Sequence, residues 1–428
     1  MKYTKKLTEE QKQIIDKEIT VEDIVKAINL MQTDKSPGPD GFTLEYYRAF
    51  INDLSPLLSA TIKESFENEG LPESQKLSYT SLIPKDSGSH LEMKNYRPIK
   101  LLNVDQKIIT KILTTRASPS MPHLVHTDQT SAIKGRTIQE HNHFIRDIIT
   151  LAHDKQIQAT ILSLDQAKAF DKVSHSYLHK TLEHCNFGPY FRKWIQILYK
   201  EPTSQILTNH TLSEPYSIGR GLMQGDSLSP LLYVLTLEPL LEKIRQDKRT
   251  AGIKIPGGNE QKLKAFADDT NFFITQIKSI GIIQEHFRHF GKGSGSSINE
   301  TKSQALKIGK WKSKANDPFR IQWVKEIKIF GITYSNTRDQ SNREQWEQIK
   351  TKTKQMLDFL FYKETSIFGR SILVNTLIFP KIIYYTQTLD PPTDIIKQIN
   401  GYIRQFIFKG TISNISHSTL IQNKLTGG

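Results

Sequence analysis

An α+β fold is expected for this 428-residue chain from three observations: long stretches of helical apolar periodicity, short strand-like runs that end on acidic residues, and regular punctuation by Gly and Pro. Residues 8 to 31 read as helical, with Ile24, Val25, Ile28, Leu30 and Met31 at near-helical spacing ahead of a stiff loop, KSPGPDGF, at 35 to 42. IKLLNVDQKIITKILTTR repeats the pattern and places Leu101, Val104, Ile108 and Ile112 on one face. TILSLD, residues 160 to 165, reads as a strand that closes on a carboxylate. A helix follows from Ser174, its N-cap, to His184. Ser229 and Pro230 read as the N-cap and first residue of an apolar helix that Pro239 should kink or end. Residues 277 to 290 are helical in pattern and QALKI is strand-like, so GKGSGSS between them, at 291 to 297, is either a flexible linker or a short connection. From 342 to about 410 basic and apolar residues alternate in helical fashion, the pattern of a separate helical lobe.

The most informative stretch is LKAFADDTNFFI, residues 263 to 274, where Asp268 and Asp269 stand side by side between two apolar runs. Phe266, Phe272, Phe273 and Ile274 favour a half-buried pleated surface, so the pair falls at the tip of a hairpin. Two-residue hairpin turns prefer Asn-Gly or Asp-Gly, and adjacent like charges repel, so Asp-Asp is poor turn chemistry. A divalent cation such as Mg²⁺ would remove the conflict, because it takes carboxylate oxygens and neutralises them. An isolated Asp-Asp is more often an ordinary solvated turn, and the weight of the metal reading depends on what joins it.

Strand-ending Asp165, set beside this hairpin, would give three carboxylates on one sheet, as two-metal phosphoryl transfer requires. Asp171 is a rival for the same role, and sequence separation does not choose between them. Phe170 is five residues past Asp165, close enough for its ring to exclude a ribose 2′-hydroxyl, against the commoner fate of core packing. Gln224, in a Gly-rich turn ahead of a helix, is placed to lie against a nucleotide or to be a plain loop residue. Lys85 and Arg97 each stand beside a proline that stiffens the backbone, and both suit a triphosphate, although isolated basic residues are usually just solvated. Lys302 is either a proton donor to a leaving pyrophosphate or simply exposed.

Composition narrows the partners. The length suggests about two or three domains, and 37% hydrophobic residues mark a globular chain. Lys and Arg outnumber Asp and Glu by 58 to 44, a net charge of +14, with pI near 9.4, so a polyanion is the natural partner, nucleic acid before membrane. Cys185 is the only cysteine, which excludes an internal disulfide, a Cys-based zinc knuckle and a secretory framework, and points to a reducing compartment. The start lacks the apolar core of a signal peptide, and LSPLLYVLTLEPLL is too short for a bilayer and carries Glu238 and Pro239. No transmembrane segment, internal repeat or strong nuclear-localisation cluster is expected.

Taken in order, KSPGPDGF, LIPK with NYRPIKLLNVDQKIITKIL, DQTSAIKGR, LSLDQAKAFDKV, GLMQGDSLSP, FADD, SGSSINETKS and IKIFGITYS resemble the successive blocks of the reverse transcriptase of non-LTR (LINE-type) retrotransposons. They span residue 35 to about 335, and eight blocks in the right order make coincidence very improbable. The resemblance implies a right-hand polymerase fold: an N-terminal helical extension at 1–34, fingers at 35–158, a palm with an antiparallel sheet at 159–338, a helical thumb at 339–415 and a truncated tail at 416–428. It implies an RNA-directed DNA polymerase that takes an RNA template, a DNA primer and dNTPs, uses two Mg²⁺ ions with Mn²⁺ as a substitute, and works in nucleus and cytoplasm. By position, Asp165, Asp268 and Asp269 match the metal ligands, which favours Asp165 over Asp171. Phe170 falls on the sugar gate, Gln224 on the motif lining the nucleotide site, Lys85 and Arg97 on the triphosphate grip, and Lys302 on a proposed proton donor. FGITYS looks like the hairpin that steadies the primer terminus.

Departures from the pattern carry their own expectations. Ser131 and Ala132 stand where the family has Gly-Phe, which removes a fingers contact, and Ser296 replaces an apolar residue behind Lys302. The upstream endonuclease and Cys/His-rich tail of such elements are missing from this chain. The alternative expectation is therefore a degenerate fragment that binds nucleic acid without synthesis.

Overall fold

A computed structural model describes residues 5–85, 91–310, 321–336 and 338–410, which fall into two compact units. The expected tail, 416–428, lies outside the described residues. The first unit takes in the chain up to His141 and Ala159–Ala305; the second takes in Asn142–Gln158, a segment from Leu306, and the chain from Val324 onward.

In the first unit, the region read as helical at 8 to 31 is two helices, Glu9–Ile15 and Val21–Leu30. Each opens on a threonine, Thr8 or Thr20, whose hydroxyl accepts from the third helical amide while that residue's side chain caps the threonine amide in return. The second capping box sets the break. KSPGPDGF is a loop as expected; a Cβ on Gly38 would meet Asn103 Oδ1 at 2.1 Å, so the close approach requires glycine. Helices Leu44–Ala49 and Ile51–Glu67 follow, with no counterpart in the sequence reading.

Leu101 ends a strand, Tyr96–Leu101, and does not share the helical face assigned to it; the helix is Val104–Ala117, with Val104, Ile108 and Ile112 buried. Tyr96–Leu101 pairs antiparallel with Leu77–Pro84, which lies parallel to Thr203–Thr208. Thr211–Leu212 and Tyr216–Ser217 complete this outer sheet.

A central sheet has the order Gln322–Val324, Gln304–Ile308, Ala159–Leu164, Asp269–Ile274, Leu263–Phe266. Its apolar face packs on helix Ser229–Gln246, in which Leu232, Leu235, Leu241 and Ile244 are all buried. Pro239 stands inside this helix and does not end it. The lost backbone bond costs about 3 kcal/mol, and burial of apolar residues on both sides of it offsets that cost at about 1.5–3 kcal/mol each. Ser229 is the first helical residue and Leu228 the cap, one position from the sequence reading. Ser174 caps helix His175–His184 by accepting from the Tyr177 amide, as expected. Helix Lys278–Ser294 runs through the glycines to Gly295, a left-handed C-cap at φ +83°, so GKGSGSS is a short connection and not a linker.

The second unit holds a hairpin, Glu326–Ile329 with Ile332–Ser335, turned by Phe330 and Gly331 at φ +50° and +82°. Positive φ at both central residues is the type I′ pattern. Helices Arg338–Phe361, Ile367–Leu373, Phe379–Thr386 and Thr393–Ile407 bury a core of their own around Trp346, Val374 and Ile399, the expected helical lobe. Among the described residues one stretch, Ile367–Thr386, is long and apolar enough to cross a membrane, where none was expected. It contains Arg370, whose guanidinium donates to the carbonyls of Ile407 and Thr365 at 2.7 Å each, bonds that fix it within this lobe.

Candidate active site

The central strands bring the aspartates together. Asp269–Ile274 pairs antiparallel with Ala159–Leu164, Thr270 opposite Leu164, and Asp165 follows directly on that strand, near enough for its charge to act on Asp268 and Asp269. On its other side Asp269 pairs with Phe266, so the hairpin turn is Ala267–Asp268 and Asp269 already belongs to the outgoing strand. The sequence reading had put both aspartates at the tip. The strained residue is Ala267, at φ +53°, in the position where a type II′ turn prefers Gly.

Asp165 is held by its backbone. Its amide donates to Ser303 Oγ at 3.3 Å, its carbonyl accepts from the Asn299 amide at 2.8 Å, and Gln166 bridges Ile298. The segment 297–303 therefore lies beside Asp165 and carries the exposed Lys302 with it. Ser296 is buried, its carbonyl 2.3 Å from where a Gly291 Cβ would stand, so a small neighbour at 291 is what this backbone needs.

Burial pushes the Asp268 carboxyl above the usual carboxylate range, and the Asp165 charge adds to it. Asp269 is pushed up to about 6, by burial first and then by the charges of Asp268 and Asp165. Much of the Asp269 residue reaches solvent, but its carboxyl is crowded by protein and by its neighbours. Behind the pair, buried Tyr233 feels both Asp268 and Asp269, and burial together with these charges holds its hydroxyl well above the ordinary value. Among the described residues no three carboxylate, imidazole or thiol groups, Asp165, Asp268 and Asp269 included, stand close enough together to hold a metal ion as they are placed. Three hard carboxylate donors at the end of one sheet, two of them resisting ionisation, nonetheless suit a hard divalent cation.

Phe170 is half-buried and stacks on Tyr233, ring centroids 4.4 Å apart and 16° from parallel. Asp171 lies in a short helix, Ala169–Lys172, and its carboxylate accepts from the Gln224 amide at 3.0 Å. That bond occupies both side chains, and the Gln224 carbonyl accepts from the Lys100 amide at 2.7 Å. Asp171, Gln224, Lys100, Tyr216 and Arg220 line a cleft of about 280 Å³. Burial lowers the Lys100 ammonium, while Tyr216 and Asp171 oppose the shift. Lys85 and Arg97 lie on the antiparallel ribbon, where Ile83 pairs with Arg97 and the Lys85 amide reaches the Asn95 carbonyl. Residues 83, 85 and 97 fall on one face by the period of two, making Lys85 and Arg97 diagonal neighbours.

In the second unit the Phe330–Gly331 hairpin is fastened to the helices. Gln345 accepts from the Thr333 amide and donates to the Thr333 carbonyl, both at 2.7 Å, and Tyr384 donates to the Phe330 carbonyl. Between them opens a cleft of about 820 Å³ whose lining includes Lys328, Lys352, Lys381, Phe359 and Tyr385. Neither Lys100 nor this basic and aromatic cleft was singled out in the sequence, because both depend on contacts between distant segments.

A family model described as reverse transcriptase (RNA-dependent DNA polymerase) matches residues 83–334. The chain is 33% identical, over 94% of its length, to the transposon TX1 uncharacterized 149 kDa protein of Xenopus laevis, of which it covers 31%. It is 25% identical, over 73% of its length, to the retrovirus-related Pol polyprotein from type-2 retrotransposable element R2DM of Drosophila melanogaster, of which it covers 28%. It thus spans about three-tenths of the length of these relatives. Among solved structures, apo telomerase from Candida tropicalis truncated from the C-terminal domain aligns with a TM-score of 0.43 at 11% identity, covering 69% of this chain and 59% of that one.

Proposed function

Since the chain belongs to the reverse transcriptase family, we propose that it is the RNA-directed DNA polymerase of a non-LTR, LINE-type retrotransposon, extending a DNA primer with dNTPs on an RNA template. The observation that supports this reading is that the strand ahead of Asp165 pairs with the strand that begins at Asp269, near enough for the Asp165 charge to act on both Asp268 and Asp269. The three carboxylates would hold the divalent cations that reverse transcriptases generally use, two Mg²⁺ ions with Mn²⁺ as a substitute. Such ions, when bound, supply a more acidic primer hydroxyl and neutralise charge on the transferring phosphate.

The rest falls to the chain's own groups. The primer 3′-hydroxyl releases its proton to solvent as its oxygen forms a bond to the α-phosphorus, the α–β phosphoanhydride bond breaks, and pyrophosphate leaves with a proton from Lys302, which solvent then restores. Lys85 and Arg97, on one face of the ribbon, grip the triphosphate, Arg with its planar fork and Lys as a point charge. Phe170 bounds the sugar, and Gln224, its amide nitrogen engaged by Asp171, offers its amide oxygen toward the nucleotide. By resemblance, the hairpin at 330–335 corresponds to the element that steadies the primer terminus. Residues 35–158, 159–338 and 339–415 correspond in this reading to fingers, palm and thumb.

Primer extension on an RNA template with dNTPs and Mg²⁺ tests the proposal, and failure to extend under any divalent cation overturns it. The second reading, a nucleic-acid-binding relic, rests on Ser131 and Ala132, where Ala132 takes a left-handed φ of +58° in place of the family's residues. Binding without extension would select it. In both readings affinity for primer-template is expected to fall steeply with salt, because each phosphate contact contributes roughly −0.7 to −0.9 to the log–log slope. Filter binding between roughly 50 and 200 mM salt, across which the Debye length about halves, measures this; a flat response would remove the argument from the +14 net charge.

A further inference from the structure

Asp128 to Ser131 lies along the aspartate hairpin. The Ala265 amide donates to the Asp128 carbonyl at 2.9 Å, the Thr130 amide donates to the Ala265 carbonyl at 2.9 Å, and Gln129 bridges Ala265 in parallel register. The Gln129 side chain is fully buried and bonds to backbone groups on either side of Ala267 and to that of Ser131. Its Oε1 accepts from the Ala267 amide at 3.0 Å and from the Ser131 amide at 3.1 Å, and its Nε2 donates to the Ala267 carbonyl at 3.4 Å. Ala267 is the residue in left-handed φ, and Asp268 is bonded directly to it.

From this we infer that Gln129 is a positioning residue, a clamp on the strained Ala267 peptide that fixes where Asp268 and Asp269 present their carboxylates. An alanine at positive φ sits above its preferred state and relaxes unless its surroundings over-determine it. Gln129 does so by holding both the N–H and the C=O of that residue. The clamp is itself anchored. Arg136 donates to the carbonyls of Gln129 and His126 at 2.7 and 2.6 Å, while the Asp128 carboxylate takes Arg245 at 3.0 Å and Gln261 at 2.7 Å. Arg245 in turn is bonded to Glu238 and Glu242, both at 2.7 Å, on helix Ser229–Gln246. The turn thus inherits its orientation from a helix buried in the core, through a residue that touches neither substrate nor metal. Ser131 takes part through its backbone amide alone, so the change from the family's glycine leaves the clamp in place.

The inference rests on the proposed polymerase reading, and the test separates the two. Mn²⁺ binding to the full chain, without nucleic acid, is followed by the electron paramagnetic resonance of the free ion. The variants are Gln129→Met, which keeps length and bulk but no hydrogen bonds, Gln129→Met with Ala267→Gly, and Asp268→Asn. Loss of an outer-shell partner weakens metal affinity by roughly 10- to 100-fold, so Gln129→Met is expected to bind at least about tenfold more weakly. Glycine takes positive φ without cost, so Ala267→Gly is expected to restore a large part of that loss. Parent-like affinity in a folded Gln129→Met protein overturns the inference, as does a loss that Ala267→Gly leaves untouched, which would make Gln129 a plain core residue. Should Gln129→Met not fold, Gln129→Asn, which keeps the amide one methylene short, is expected to bind several-fold more weakly; equal binding overturns the proposal. If the parent and Asp268→Asn bind Mn²⁺ alike, the metal assignment itself fails and the inference falls with it.

Discussion

Asp268→Asn is expected to abolish primer extension, by on the order of 10³-fold or more, while primer-template affinity stays near that of the parent. In the proposed reading the carboxylate supplies charge to the reacting centre, whereas phosphate contacts come from basic side chains elsewhere, so chemistry and binding should separate. Single-turnover extension beside filter binding reads both, and equal extension by the mutant would sink the assignment of this residue to the metal site. The same substitution is expected to stabilise the metal-free protein. Burial and neighbouring charge hold Asp269 at about 6 and raise Asp268. Between about pH 4 and pH 6 the folded state thus keeps protons that the unfolded chain, with ordinary carboxyl values, has lost. Stability therefore falls as pH rises through that window and stays lower above it. Removing one charge relieves repulsion worth about 1 kcal/mol, allowing for solvent screening at a half-open turn. Thermal unfolding in chelator should show the mutant about 2 °C more stable at pH 7.5, with the difference gone by pH 4. A mutant less stable than the parent at neutral pH would mean that Asp268 is a structural residue.

This opposition between stability and function explains why the pair was legible in the sequence. Two adjacent carboxylates between β-forming runs break a local rule without local compensation, and such breaks concentrate at functional sites. The strand that leads into Asp165 and the helix capped by Ser174 were readable for a simpler reason, since cap and period are properties of short segments, whereas the hairpin in FGITYS was legible only through the resemblance. Helix Ile51–Glu67 escaped because its buried residues, Ser55, Ile62 and Ser65, include small polar ones that carry no periodic apolar signal. Pro239 does not end its helix because burial along both halves of it outweighs the local cost of the proline. Gln129 lay in a quoted block, DQT, but its meaning depends on Ala267, 138 residues away. No spacing rule reaches that far, and a buried amide aimed at a backbone peptide appears only once the strands are paired.

Phe170→Val is expected to let the enzyme use ribonucleotides, narrowing its preference for dNTPs by about 10- to 100-fold. Two roles compete for this ring, and the structure gives both some support. Stacked on Tyr233 at 4.4 Å, Phe170 packs against the core, which favours a packing role. Yet the ring is only half-buried, it lies in the helix that follows the Asp165 loop, and the stack fixes its position, as a steric gate requires. Shortening it to valine destabilises the fold by about 1–3 kcal/mol through lost burial in either case, so a fall in overall rate decides nothing. The ratio of kcat/KM for a dNTP to that for the matching ribonucleotide is insensitive to general damage, because both substrates meet the same weakened enzyme. A ratio that drops while dNTP incorporation persists makes the ring a gate against the 2′-hydroxyl. An unchanged ratio in a less stable protein makes it core alone, and discrimination must then come from the residues lining the cleft around Gln224.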